Sequence, residues 1–193
     1  MRDELDNKLV NKYPKIFRDR HADMRTTCIC WGMETGDGWY WLIDNLCDSI
    51  QSYIDNNSSK IRIKNKYARF FIKLFWKINR KSRNKSIIGK IFNYKFIQKI
   101  EDRFEKEKYE TIPQFVATQV KEKFGSLRFY YDGGNNLIDG MVWLAEHMSY
   151  NICENCGSIK NIGKTKSWII TLCEDCSKLD KYNNVKWEMN KNG

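Results

Sequence analysis

Apolar positions along this chain recur in two periods, one near 3.6 residues and one of two, which predicts a mixture of helices and short strands. Over residues 1–20, Leu5, Leu9, Tyr13, Ile16 and Phe17 keep helical spacing around an interruption at Pro14, so a short N-terminal helix is expected. Residues 24–31, MRTTCICW, alternate and are β-prone, and the glycine-rich run GMETGDG that follows reads as a loop. Trp39, Leu42, Ile43, Leu46, Ile50, Tyr53 and Ile54 then predict a helix over 38–54, with Asp37 placed to cap it.

Residues 55–60 read as a linker into a segment of different character. Tyr67, Phe70, Phe71, Leu74, Phe75 and Ile78 form an apolar stripe, with Lys and Arg around the rest of the turn, which predicts a basic amphipathic helix. A further helix is expected where IFNYKFIQKI runs into EDRFEKEKYE. From Phe115 to Asp132, β-prone residues on both sides of Phe124-Gly125-Ser126 predict a hairpin. Its Leu127, Phe129 and Tyr131 should share one face, and Arg128 and Tyr130 the other. Asn136–Tyr150 returns to helical spacing through Ile138, Met141, Val142, Ala145 and Met148.

The strongest chemical signal lies near the C-terminus. Cys153-x2-Cys156 and Cys173-x2-Cys176 are two knuckles sixteen residues apart, within the spacing of four-cysteine zinc sites. Strand-like Ser167–Leu172 between them completes the pattern of a zinc ribbon with one structural Zn2+ ion. Four thiolates close the coordination sphere, so the expected role is structural. The fold class is therefore α+β: helices around a short antiparallel sheet or hairpin, with a C-terminal four-cysteine zinc ribbon. Residues 1–150 should form the core, interrupted by the basic, aromatic-rich insertion at about 56–100, and 151–193 the ribbon and tail.

Seven cysteines, an odd number, accompany an N-terminus that is charged throughout and carries no signal-like apolar run. Metal ligation thus explains the clustered thiols better than disulfides, and a cytoplasmic location is expected. Cys28, Cys30 and Cys47 raise the question of a second metal or of small buried hydrophobes. With only His21 and His147, and without a GxGxxG, P-loop or nucleophile motif, no catalytic residue is assigned.

The net charge of +10 is unevenly placed, for residues 56–100 hold fourteen Lys or Arg and no acid, while the rest has 20 basic and 24 acidic residues. Such a segment suits phosphates, and equally suits an insertion that packs its apolar face and leaves its cations in water; a membrane surface fits the pattern less well. Other cations stand beside aromatics. Arg18, Arg20 and Arg25 near the N-terminus, Lys121, Lys123 and Arg128 on the hairpin, and Trp31 and Trp39 flanking the glycine-rich loop form a candidate set for holding a nucleotide by stacking and charge-assisted bonds. The same loop also reads as a tight turn with core tryptophans.

The blocks KYPKIFRDR, CWGMETGDGWYWLIDNLC, QVKEKFGSLRFYYDGG, and CENCG with LCEDC resemble a group of small phage and prophage proteins with a C-terminal CxxCG…CxxC zinc ribbon. The blocks cover residues 12–54 and 115–177 and leave the basic stretch outside. The resemblance implies a phage-type origin and a location in host cytoplasm, and no activity. The leading functional expectation is a non-catalytic accessory protein that binds an anionic, phosphate-bearing ligand, such as a nucleotide signal of host defence. A zinc-ribbon nucleic-acid-binding protein and an inhibitor of an acidic host protein are the alternatives.

Overall fold

A computed structural model describes residues 1–57, 70, 112–166, 168–182 and 184–190. The chain divides into two compact units, one of Met1–Ile54 with Pro113–Gly193 and one of Asp55–Ile112. The basic amphipathic helix and the helix read near residue 100 lie outside the described residues. Everything below concerns the first unit.

Helix α1, Asp3–Lys12, ends just before Pro14, where the Tyr13 amide still bonds Leu9 O. Its buried Leu9 is joined by Tyr13, Ile16 and Phe17 from the turn that follows. Two buried acids here are held by charge or phenol: Asp44 takes Lys12 Nζ at 2.7 Å and Tyr13 OH at 2.8 Å, and Asp6 takes Arg20 Nη2 at 2.7 Å on its Oδ2. Each carboxylate leaves water with a partner, as buried charge requires.

The β-prone 24–31 stretch is not a strand. It forms a turn of 3-10 helix, Ile29–Trp31, closed by Gly32 at φ 92°, with Arg20 Nη1 donating to Cys30 O. Alternation there reports one buried residue, Ile29, anchored between polar neighbours rather than a pleat. Strand geometry appears just afterwards, where Glu34 pairs in parallel with Lys121 through the bonds Glu34 N to Val120 O and Glu122 N to Glu34 O. Helix α2 spans 40–57 and follows a 3-10 turn, Asp37–Trp39. Asp37 does not cap it; its carboxylate accepts from the Arg2 backbone and guanidinium.

The hairpin forms where the pattern placed it, as β1, Val116–Lys123, antiparallel to β2, Ser126–Asp132. Phe124 at φ 53° and Gly125 at φ 73° make the two-residue turn whose twist matches the strands. Phe115, Val120, Leu127 and Phe129 are buried beneath it, with Phe115 stacked 5.4 Å from Phe129. Helix α3, Asn136–Ser149, starts at an Asn135 cap and buries Ile138, Val142 and Ala145. It also satisfies the outer edge of β2, because Ser149 Oγ and Glu146 Oε1 accept from the Leu127 and Phe129 amides, each at 2.9 Å. An exposed sheet edge is thereby closed.

Three strands follow, in the order β4–β3–β5: β3 is Ile162–Thr165, β4 Thr171–Cys173 and β5 Trp187–Met189, all antiparallel. The short helix α4, Glu174–Ser177, carries Cys176. Cys153, Ile162, Leu172, Cys173 and Cys176 form their own small core, covered by Ile170, Tyr182 and Trp187. Strand β5 was not foreseen. Gly163 makes room for its indole, since a Cβ there would lie 2.5 Å from the Trp187 ring.

The two sequence parts of the first unit meet where the chain leaves and re-enters it, with Gln114 Nε2 donating to Gln51 Oε1 at 3.0 Å and Asn135 Nδ2 to Tyr53 OH at 3.2 Å. Deleting residues 60–95 is therefore expected to leave a folded core, because the remaining residues suffice for a short loop between adjoining ends. Circular dichroism and a cooperative melt check this; an insoluble or molten product would show that the segment is integral.

Candidate metal centre and basic hairpin face

The four thiols of Cys153, Cys156, Cys173 and Cys176 lie within 4.8 Å of one another, and Cys156 Sγ is 3.7 Å from Cys173 Sγ. Tetrahedral zinc with sulfur at about 2.3 Å requires sulfurs about 3.8 Å apart. The donor set and spacing fit such an ion. Two bonds to sulfur come from the surroundings, Asn155 Nδ2 to Cys176 Sγ at 3.2 Å and Cys176 N to Cys173 Sγ at 3.4 Å, and these orient ligands in the manner of an outer shell. Gly157, at φ 79°, lets its amide turn back to Cys153 O at 2.8 Å. Among the described residues no other group of three or more Cys, His or carboxylates gathers in this way. Cys28 is exposed, Cys30 half-buried with its thiol on Thr27 O, and Cys47 fully buried, where burial pushes its thiol far up.

The glycine-rich loop serves this centre. A Cβ on Gly36 would lie 2.2 Å from Glu154 O, and one on Gly38 2.2 Å from Cys153 O. The Gly38 amide donates to Glu154 O at 2.8 Å and the Gly36 amide to the Glu154 carboxylate at 2.9 Å. Trp39 is 0% exposed and donates its indole N–H to Ile152 O. The Gly36 and Gly38 amides and the Trp39 ring are thus spent on holding the first knuckle against the core. They offer neither a phosphate cradle nor an open stacking surface, which corrects the sequence reading of Trp39. Burial also lifts the Glu154 carboxyl, up to about 7.

The other residues of the candidate ligand set divide. Arg20 is committed to Asp6 and Cys30 O. Arg18 and Arg25 pair with the adjacent Asp19 and Asp23 at 3.6 and 2.8 Å, and Trp31 is 66% exposed. The cavities of about 380, 480 and 560 Å³ include none of the eight residues in their walls.

Lys121, Lys123 and Arg128 do come together. Lys121 lies directly across from Arg128, and Lys123 from Ser126, so all three cations share the outer face of the hairpin. Two tyrosines stand among them: Lys121 Nζ lies 5.6 Å from the Tyr130 ring centre, and Arg128 Nη2 donates to Tyr150 OH at 3.3 Å. A fourth cation, Lys164 of β3, sits 4.3 Å from the Tyr150 ring centre. The Arg128 bond pulls the Tyr150 phenol below its ordinary range, and burial lowers the Lys164 ammonium. Two acids stand beside this group, Glu146 at 3.9 Å from Arg128 and Glu34, the bridge partner of Lys121. Lys164 was missed in sequence because it stands alone between glycine and threonine; only the β3 register brings it to Tyr150.

No helix among the described residues is long and apolar enough to cross a membrane. No family model, curated protein or solved structure matches this chain.

Proposed function

We propose that the protein is a non-catalytic binding protein, held by one structural zinc ion, that takes a phosphate-bearing polyanion on the outer face of its β1–β2 hairpin. The observation that carries this reading is the convergence of Lys121, Lys123, Arg128 and Lys164 around Tyr130 and Tyr150. Cations spaced along a ladder neutralise successive phosphates, and a tyrosine 43% exposed among them can stack a base. The openness of this face favours an extended nucleic acid, the alternative drawn from sequence, over capture of a single nucleotide, for which an enclosed pocket is needed. The phage-type resemblance bears on origin and adds no activity. Zinc is favoured over other ions because four thiolates in a tetrahedral arrangement suit it, with iron the competing choice.

Fluorescence anisotropy with a labelled single-stranded oligonucleotide, titrated over a range of salt, tests the reading. Lys121→Ala and Lys164→Ala are each expected to weaken binding and to lower the salt slope by about 0.7, the value for one lost phosphate contact on a single strand. These single changes separate the hairpin from the fourteen cations of residues 56–100, which remain in both variants. Calorimetry against mono-, di- and cyclic nucleotides runs alongside. Tight binding of a small nucleotide without binding of the oligonucleotide would restore the capture reading, and affinity unchanged by either substitution would remove the hairpin face from it.

A further inference from the structure

Helix α3 carries a row of aromatic rings that runs into the cationic hairpin face. Trp143, His147 and Tyr150, the residue that ends the helix, are spaced to lie on one side of it, over about 10 Å at 1.5 Å of rise per residue. The rings adjoin one another: the Trp143 and His147 ring centres are 3.9 Å apart, and those of His147 and Tyr150 6.0 Å. His147 Nδ1 donates to Trp143 O at 2.8 Å, which holds the imidazole against the indole. At the other end of the row Tyr150 meets Arg128 and Lys164, two cations of the hairpin face.

These rings are not core. Trp143 is 61% exposed and His147 is exposed, whereas α3 packs inward through Ile138, Val142 and Ala145. One exposed apolar side chain needs no account, but three adjoining rings that end on two cations do. The two acids of α3 are already engaged, Asp139 by Tyr131 OH at 2.6 Å and Glu146 by the Phe129 amide at 2.9 Å. Cations and rings take different parts of a nucleic acid. Phosphates are reachable on any strand, but a base turns its face to a side chain only when it is unstacked, and a duplex offers base edges alone.

We propose that the polyanion of the hairpin face is a single-stranded nucleic acid, whose phosphates lie along Lys121, Arg128 and Lys164 and whose unpaired bases stack on Trp143 as the strand passes onto α3; this rests on the reading of that face as a phosphate site.

Fluorescence anisotropy with the full chain compares labelled single strands of DNA and of RNA, about 12 nucleotides long, with a duplex of equal length and with a strand of abasic sites, which keeps the phosphates and lacks the bases. A single strand is expected to bind more tightly than the duplex or the abasic strand, and the tighter of DNA and RNA names the sugar. Trp143→Ala is expected to weaken the single strand by about tenfold, the stacking lost at one base. Its salt slope, the abasic affinity and the melting temperature should stay in place, because Trp143 neither meets a phosphate nor fills the core. Trp143→Phe keeps a ring and should restore most of the affinity. Lys121→Ala, in the same titrations, separates the stacking row from the phosphate site. A loss of affinity and of salt slope in Lys121→Ala with none in Trp143→Ala would keep the hairpin site and overturn the row on α3. Absence of binding, or binding indifferent to both changes, would overturn both. Equal affinities for the single strand, the duplex and the abasic strand would also overturn the proposal.

Discussion

Stripping the metal, or replacing Cys173 by Ser, is expected to unfold the C-terminal ribbon and to lower the melting temperature of the whole first unit. Structural zinc at four thiolates contributes folding free energy on the order of 10 kcal/mol. That is comparable to the entire stability of an ordinary domain, about 5–15 kcal/mol. The ribbon has little else, since its core consists of three ligand cysteines with Ile162 and Leu172, and two of its strands are three residues long. Loss should spread beyond it, because the first knuckle is bonded to Gly36, Gly38 and Trp39 at the entry to α2, and Thr171 Oγ1 donates to Gly125 O at the hairpin tip. Circular dichroism melts with and without a strong chelator measure this. A chelated protein that melts as before would mean that the thiols only pack.

The second large effect is expected from Gly38→Ala. A methyl group there would sit 2.2 Å from Cys153 O, 2.4 Å from Gly157 N and 2.8 Å from Cys156 N, all backbone atoms of the knuckle that cannot move aside singly. The cost should reach the upper end of overpacking, about 3 kcal/mol, and should appear together with weakened metal retention, because the clash pushes on two ligand residues at once. Gly140→Ala is the matched control. It lies within α3 with nothing near its would-be Cβ, so alanine is expected to be neutral or to stabilise by about 0.5–1 kcal/mol. Urea melts with a metal-release assay separate the two, and equal stability of both variants would break the proposed link between loop and knuckle.

The elements with a strong local signal were legible in sequence. The two CxxC pairs announced a four-thiol cluster, Phe124-Gly125 announced the hairpin turn, and helices α2 and α3 lie within a few residues of their periodic stretches. Positions decided by distant contacts were not. MRTTCICW alternates as a strand would, yet its amides are taken by local turns and Arg20 reaches Cys30 O from a separate segment. The loop GMETGDG has the composition of a phosphate-binding turn, and only the approach of Cys153 and Glu154, more than a hundred residues away, reveals that its glycines make room for a knuckle. Arginine shows the same limit. Arg20 and Arg128 look alike in sequence, but one is matched to the buried Asp6 and the other stands in a cationic group on the hairpin. Burial and register assign those roles, and neither is local.

Native mass spectrometry of the freshly reduced protein tests most directly the claim that the two knuckles close on one ion and thereby hold the ribbon to the core. One zinc ion per chain, absent from Cys153→Ser and Cys173→Ser and retained in Cys28→Ser and Cys47→Ser, is the predicted result. A metal-free mass, or a disulfide between Cys153 and Cys156 in place of the ion, would contradict it.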